Sequence, residues 1–240
     1  TNAHAESLIL EGKRCVGIRY NVQGQKREAR ASREVIVSTG AIASPQLLEL
    51  SGIGQPERLK DLGIEVHHAL AGVGENLRDH WSPRMKWRVA RRGVTFNERA
   101  RGVGALWEGF KYITRNTGFL ALPASPIRAF FKTREGLDSP DAMLTLQPFL
   151  VTPDIKLDKQ AGLTIIVHQM RPESKGSIHI SSKDASEPPA IRFNFLAESL
   201  DRESLLGSMR VVRRIMAQPQ LAWLEAEEFA PGPKAQTDDE

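Results

Sequence analysis

The chain has 240 residues, 40% of them hydrophobic and 26% charged, which supports one large core or two smaller ones and excludes a disordered polymer. Its 33 basic and 29 acidic residues leave a formal charge of +4, too small an excess to imply a nucleic-acid partner, and no apolar run is long enough for a membrane span. The single Cys15 excludes an intrachain disulfide and a multi-cysteine metal site.

In chain order, residues 1–6 show neither the basic region nor the apolar core of a signal peptide, and without an initiator Met the sequence is expected to begin within a longer protein. Residues 7–10 and 15–20 read as two strands of a hairpin, with Gly12 supplying the turn and Cys15 as a buried strand thiol. A second turn over 21–24 leads into 27–38, whose end, Val35-Ile36-Val37, is β-branched and continuous like a buried strand of a parallel sheet. Gly40 breaks that strand. Ser44 is expected to cap the next helix, with Pro45 at its first position, Leu47, Leu48 and Leu50 as its buried stripe, and Gly52 and Gly54 as its stop. Residues 56–62 read as a short helix closed by Gly63, and 71–80 as a glycine-punctuated loop.

Composition changes near residue 82. Residues 85–89 alternate like a strand, and 103–115 read as a helix with Leu106, Phe110 and Ile113 on one side. Segments 142–149, 163–170 and 176–182 are expected to form an antiparallel sheet, with Ile178 and Ile180 alternating against Ser177, His179 and Ser181. Residues 201–217 form the last clear helix, with Leu205, Met209, Val212 and Met216 on its apolar face. The tail 231–240 is polar and is expected to be frayed or truncated.

The chemistry concentrates around Thr39-Gly40-Ala41, where small residues at the carboxyl end of a strand allow close approach of a ligand. The run from Gly40 to Gly54 resembles the second signature of the glucose–methanol–choline family of FAD-dependent oxidoreductases, through its small residues, the Ser44-Pro45 pair, the paired leucines and the closing Ser51-Gly52-Ile53-Gly54. The resemblance continues through Gly72-Val73-Gly74-Glu75-Asn76-Leu77, Asp79-His80, Arg171-Pro172-Glu173-Ser174-Lys175-Gly176-Ser177, and Pro188, Ile191, Asn194 and Asp201. The helix leading to Tyr112 and the Pro140-Asp141 segment are similar to the choline-dehydrogenase-like and alcohol-dehydrogenase-like branch, whereas His68 and Ala71 depart from it.

The resemblance implies a mixed α/β and α+β fold: an incomplete Rossmann-like FAD-binding domain over 1–82, an antiparallel-sheet substrate domain with helices over 83–220, and a truncated or frayed segment over 221–240. It implies Thr39, Gly40, Ala41, Asn76 and Leu77 as cofactor-binding residues, with FAD as cofactor. It implies an enzyme that oxidises a CH–OH group of a small-molecule primary alcohol or choline-like substrate by hydride transfer to flavin. Quinone or oxygen as electron acceptor stays open, as does localisation. The family's N-terminal Gly-x-Gly-x-x-Gly turn is missing, since Gly102-Val103-Gly104 lacks the third glycine. The family's catalytic histidine would lie beyond residue 240, so a central fragment inactive by itself is expected.

No catalytic or metal-ligating residue is assigned within the chain. His80 reads as a loop hydrogen-bonding residue, His168 as a strand residue packed in the sheet, and His179 as the polar phase of a strand; His67 and His68 form no metal set with carboxylates. Ser44 lacks the Gly-x-Ser-x-Gly elbow of a hydrolase nucleophile. A hydroxynitrile lyase on the same fold and a noncatalytic scaffold or interaction module are the alternatives.

Overall fold

The computed structural model describes residues 2–235 and 237. The chain opens with β1 (His4–Glu11), β2 (Arg14–Val22) and β3 (Gln25–Arg30), an antiparallel sheet in the order β1-β2-β3. The expected hairpin is present, and Gly12 turns it at φ +60°. Helix α1 (Gly40–Leu50), strand β4 (Ile53–Gly54), helix α2 (Pro56–Asp61), and strands β5 (His68–Ala69) and β6 (Glu75–Leu77) follow. The next elements are β7 (Arg84–Val89), α3 (Phe96–Arg99), α4 (Gly102–Arg115), β8 (Ile127–Phe131), β9 (Ala142–Gln147) and β10 (Gly162–Gln169). Strands β11 (Gly176–His179) and β12 (Ala190–Arg192), helix α5 (Ser199–Met216) and strand β13 (Ala226–Ala230) complete the order.

These elements form two compact units, and the chain visits the first one twice. One unit holds the residues up to Asp79 together with Ser174–Ala197; the other holds His80–Glu173 and the residues from Glu198 onward. The division near residue 82 expected from composition therefore has a return crossing that composition does not reveal. Strand β11 lies between β12 and β6 in a three-stranded antiparallel sheet of the first unit, not beside β9 and β10 as its alternation led one to expect. Alternation reports which side chains share a face, and the partner strand is chosen by non-local pairing.

In the second unit, β13-β7-β10-β9-β8 form a five-stranded antiparallel sheet. Met85, Trp87 and Val89 of β7 are buried at alternate positions, the period-2 pattern legible in the sequence, whereas β10 buries Thr164 along with Leu163, Ile165 and Val167. Leu205 and Val212 of α5 are buried, and the helix packs on β9 and β10. Ser204 and Ser208 share that buried face. Residues 226–230, expected to fray, instead form β13 against β7; residues 236 and 238–240 of the expected tail lie outside the described residues.

Several local expectations are corrected. Val35-Ile36-Val37 form no strand, and Ile36 is 77% exposed. A parallel strand needs neighbours on its ladder, and among the described residues none pairs with this segment. Helix α1 also begins five residues earlier than expected, at Gly40 in place of Pro45, with Thr39 as its flanking residue. Ser44 and Pro45 therefore lie inside the helix, and Ser44 Oγ meets Thr39 Oγ1 at 3.1 Å in place of capping an end. Helix α4 forms where expected, but Leu106, Phe110 and Ile113 face outward, and Glu108 is the buried residue. Its carboxylate accepts hydrogen bonds from Lys111 Nζ and, at 3.2 Å, from the Phe119 backbone N–H.

Candidate functional site

The first unit contains a cleft of about 540 Å³, within the size range of small-molecule sites. Ala41, Ser44, Pro45 and Leu48 of α1 line it together with Leu70, the 72–78 segment and Ile178 of β11. The helix starts at Gly40 because a φ of +89° turns the chain sharply there, a conformation that glycine adopts without steric cost. The first-turn amides of α1 have no intrahelical acceptor and carry the positive end of the helix dipole. Pro45, having no N–H, also leaves the Ala41 carbonyl without its helical donor. The opposite wall turns at Gly74 (φ +79°) and Asn76 (φ +60°), the latter a residue that tolerates the left-handed region.

Of the sequence-predicted cofactor residues, Ala41, Asn76 and Leu77 line this one cleft. Gly40 opens the helix that forms its wall, and Thr39 lines a separate hollow of about 210 Å³ with His4, Ala43, Gln46 and Leu47. The cleft thus combines one face of α1 from Ala41 to Leu48, Arg78, a carboxylate from Glu75, and apolar surface from Leu70, Val73 and Ile178.

Sequence reasoning missed the group that holds these walls. Glu49 lies on the same helix as the expected leucine stripe, yet it is completely buried, whereas Leu48 and Leu50 are only partly so. One Glu49 oxygen accepts the Ile180 backbone N–H at 2.8 Å, and the other lies 2.7 Å from His179 Nδ1. His179 Nε2 lies 3.0 Å from Glu75 Oε1, which also accepts a 2.7 Å hydrogen bond from Gln55 Nε2. His179, read from the sequence as the polar phase of a strand, is therefore buried between two carboxylates. The Gln55 hydrogen bond holds the Glu75 carboxyl below the usual carboxylate range, with partial burial opposing and His179 reinforcing the effect. The one available signal was charge placed among buried residues: a glutamate inside an apolar helical run and a histidine inside a strand.

The other histidines do not converge here. His80 and His168, in the second unit, stack with ring centroids 4.7 Å apart, and His80 Nε2 donates to the Met170 carbonyl at 3.3 Å. Burial, with a smaller contribution from the His80 charge, lowers the pKa of His168 and favours its neutral ring. His67 and His68 line a hollow of about 280 Å³ with Leu10, Gly12, Lys13 and Ile53. Among the described residues no group of three His, Cys, Asp or Glu side chains is arranged to hold a metal ion, and no helix is long and apolar enough to cross a membrane.

By its similarity to known proteins the chain falls in a flavoprotein class, and it is a member of the GMC oxidoreductase family. The family's N-terminal model matches residues 1–82 and its C-terminal model residues 172–240. The chain is 37% identical to an oxygen-dependent choline dehydrogenase of Chromohalobacter salexigens and 34% identical to one of Pseudomonas fluorescens. Each alignment covers 100% of this chain and 43% of the relative, so the chain spans less than half the length of these curated relatives. A formate oxidase of Aspergillus oryzae, studied for modification of its FAD, superposes with a TM-score of 0.85 at 23% identity, over 97% of this chain and 46% of that one. That likeness shows the shared fold.

Proposed function

We propose that the chain forms part of an FAD-dependent oxidoreductase acting on the CH–OH group of a primary alcohol or choline-like substrate, and that the α1–β6 cleft receives part of the FAD. The observation that carries this reading is the meeting of Ala41, Asn76 and Leu77 along one cleft, although Ala41 lies 34 positions before the first residue of the Glu75–Leu77 strand. FAD supplies hydride acceptance when bound. The residues of this chain bind and orient it.

The cleft fits such a group physically. The positive charge of Arg78 favours anionic oxygens, while Leu48, Leu70, Val73 and Ile178 offer apolar surface to a flat ring. An unfilled space where a Cβ would stand at Gly40 and Gly72 leaves backbone open to close approach. Thr39 and Gly40 are proposed to act through the helix start, and Asn76 and Leu77 directly in the wall. We assign the second unit, with its five-stranded sheet, to substrate binding, and name no catalytic residue among the residues present.

Choline and simple primary alcohols added anaerobically to the full-length flavoprotein test the reading. Bleaching of the oxidised flavin band supports oxidation of the CH–OH group. Cyanide release from a hydroxynitrile without bleaching would identify the lyase instead, and neither response would leave a noncatalytic module. Oxygen uptake during turnover then separates oxygen from a quinone as the acceptor.

A further inference from the structure

We propose that His179 is a positioning residue for this cleft, held as an imidazolium between Glu49 and Glu75 so that it ties the two walls together and cancels one of the carboxylate charges behind an anionic ligand. The inference rests on the reading of the cleft as part of the FAD site.

Hydrogen-bond stoichiometry carries the protonation state. Ionised carboxylates only accept, and a neutral imidazole donates from one nitrogen alone. Nδ1 lies 2.7 Å from Glu49 Oε1 and Nε2 lies 3.0 Å from Glu75 Oε1, so both contacts are satisfied when each nitrogen carries a proton. Placement carries the positioning role. Leu48 on α1 and Ile178 on β11 face the cleft, and the next residue on each element, Glu49 and His179, enters the clamp behind it. Glu75 belongs to both, as a cleft residue and as a partner of the ring. The single ring thereby joins three elements that are distant in sequence: α1, β6 and β11.

The backbone closes tightly around the same ring. A Cβ at Gly74 would stand 2.7 Å from His179 Nδ1, and the Ile178 N–H donates to the Gly74 carbonyl at 2.7 Å. The charged groups around the ring are Glu49 from α1 and Glu75 from β6, with Arg58 of α2 acting on Glu75 through space; β12 presents Ala190 opposite His179. A neutral ring would leave two carboxylates uncompensated by any ring charge beside the cleft. The imidazolium removes one of those charges, which favours an anionic ligand such as a pyrophosphate.

Neutron diffraction on crystals of the full-length protein exchanged into heavy water, with FAD titrations of variants, tests the inference. Deuterons on both ring nitrogens of His179 are expected; a deuteron on only one, or one on either carboxylate, overturns the charged clamp. His179→Gln should weaken FAD binding by about tenfold or more, the loss of roughly one charge-assisted hydrogen bond, and His179→Lys should recover part of it by restoring the charge. Wild-type affinity in His179→Gln would overturn the positioning role. If neither variant folds, the neutron result alone decides. Ala41→Leu, which narrows the cleft, separates the two readings. If it blocks FAD while His179→Gln does not, the cleft stands and the clamp fails; if it binds FAD unchanged, the cleft itself fails.

Discussion

Gly74 and Gly12 both adopt positive φ, but only Gly74 is hemmed in by neighbours. A methyl group at Gly74 would stand 2.2 Å from the Ile178 carbonyl oxygen and 2.7 Å from the His179 ring, whereas at Gly12 it meets nothing within 4 Å. Gly12→Ala should therefore cost about 1 kcal/mol for backbone strain alone, and Gly74→Ala about 2 kcal/mol or more because overpacking adds to it. Urea unfolding of both variants checks this, and equal losses would contradict it. His168 gives a prediction in pH. Its folded-state pKa is depressed by burial and by His80, so the unfolded chain binds its proton first as the solution is acidified. Stability should then fall as pH drops below the free-histidine value of about 6.5 and go on falling until the folded pKa is passed. His168→Leu should shrink the difference in urea midpoint between pH 7 and pH 5; an unchanged difference would locate that pH dependence elsewhere.

Among the elements, Asp141 shows how a short polar knot joins a strand to a helix. Its carboxylate accepts the Thr133 N–H at 2.8 Å, the Thr133 hydroxyl at 2.6 Å and the Ser204 hydroxyl of α5 at 3.2 Å. Burial pushes this carboxyl up, but the Thr133 and Ser204 hydrogen bonds outweigh it and hold it below the usual range. Asp141→Asn should lower stability by about 1–3 kcal/mol near neutral pH, with the difference narrowing on acidification below the unfolded aspartate value of about 3.9. A variant equally stable at pH 7 would contradict the role of the knot. What could be read in advance also divides by element. The alternation of β7 gave its buried face correctly, because a strand's period of two is local. For α4, spacing placed Leu106, Phe110 and Ile113 on one face, but periodicity does not say whether that face turns inward, and Ile113 is 84% exposed. Val35-Ile36-Val37 had the composition of a buried strand without a partner on its ladder among the described residues.

Across the whole molecule, the Gly40–Gly54 run and the 72–77 segment both contribute residues to one cleft. The run from Gly40 to Gly54 was recognisable because its small residues, proline and glycines are local demands of one helix and its two turns. Its opposite wall was recognisable as a second motif, 72–77. The third contributor, Ile178 with His179 behind it, was not, since β11 reaches the first unit by pairing with β6 across about a hundred residues of intervening chain. FAD is proposed to lie against α1 and the 72–78 segment that carries β6. Hydrogen–deuterium exchange of the full-length protein, with FAD present and after its removal, measures this directly. FAD should slow exchange in peptides covering 39–48 and 72–78 more than in those covering the β1–β2 hairpin. Protection elsewhere, with exchange in these two segments unchanged, would contradict it.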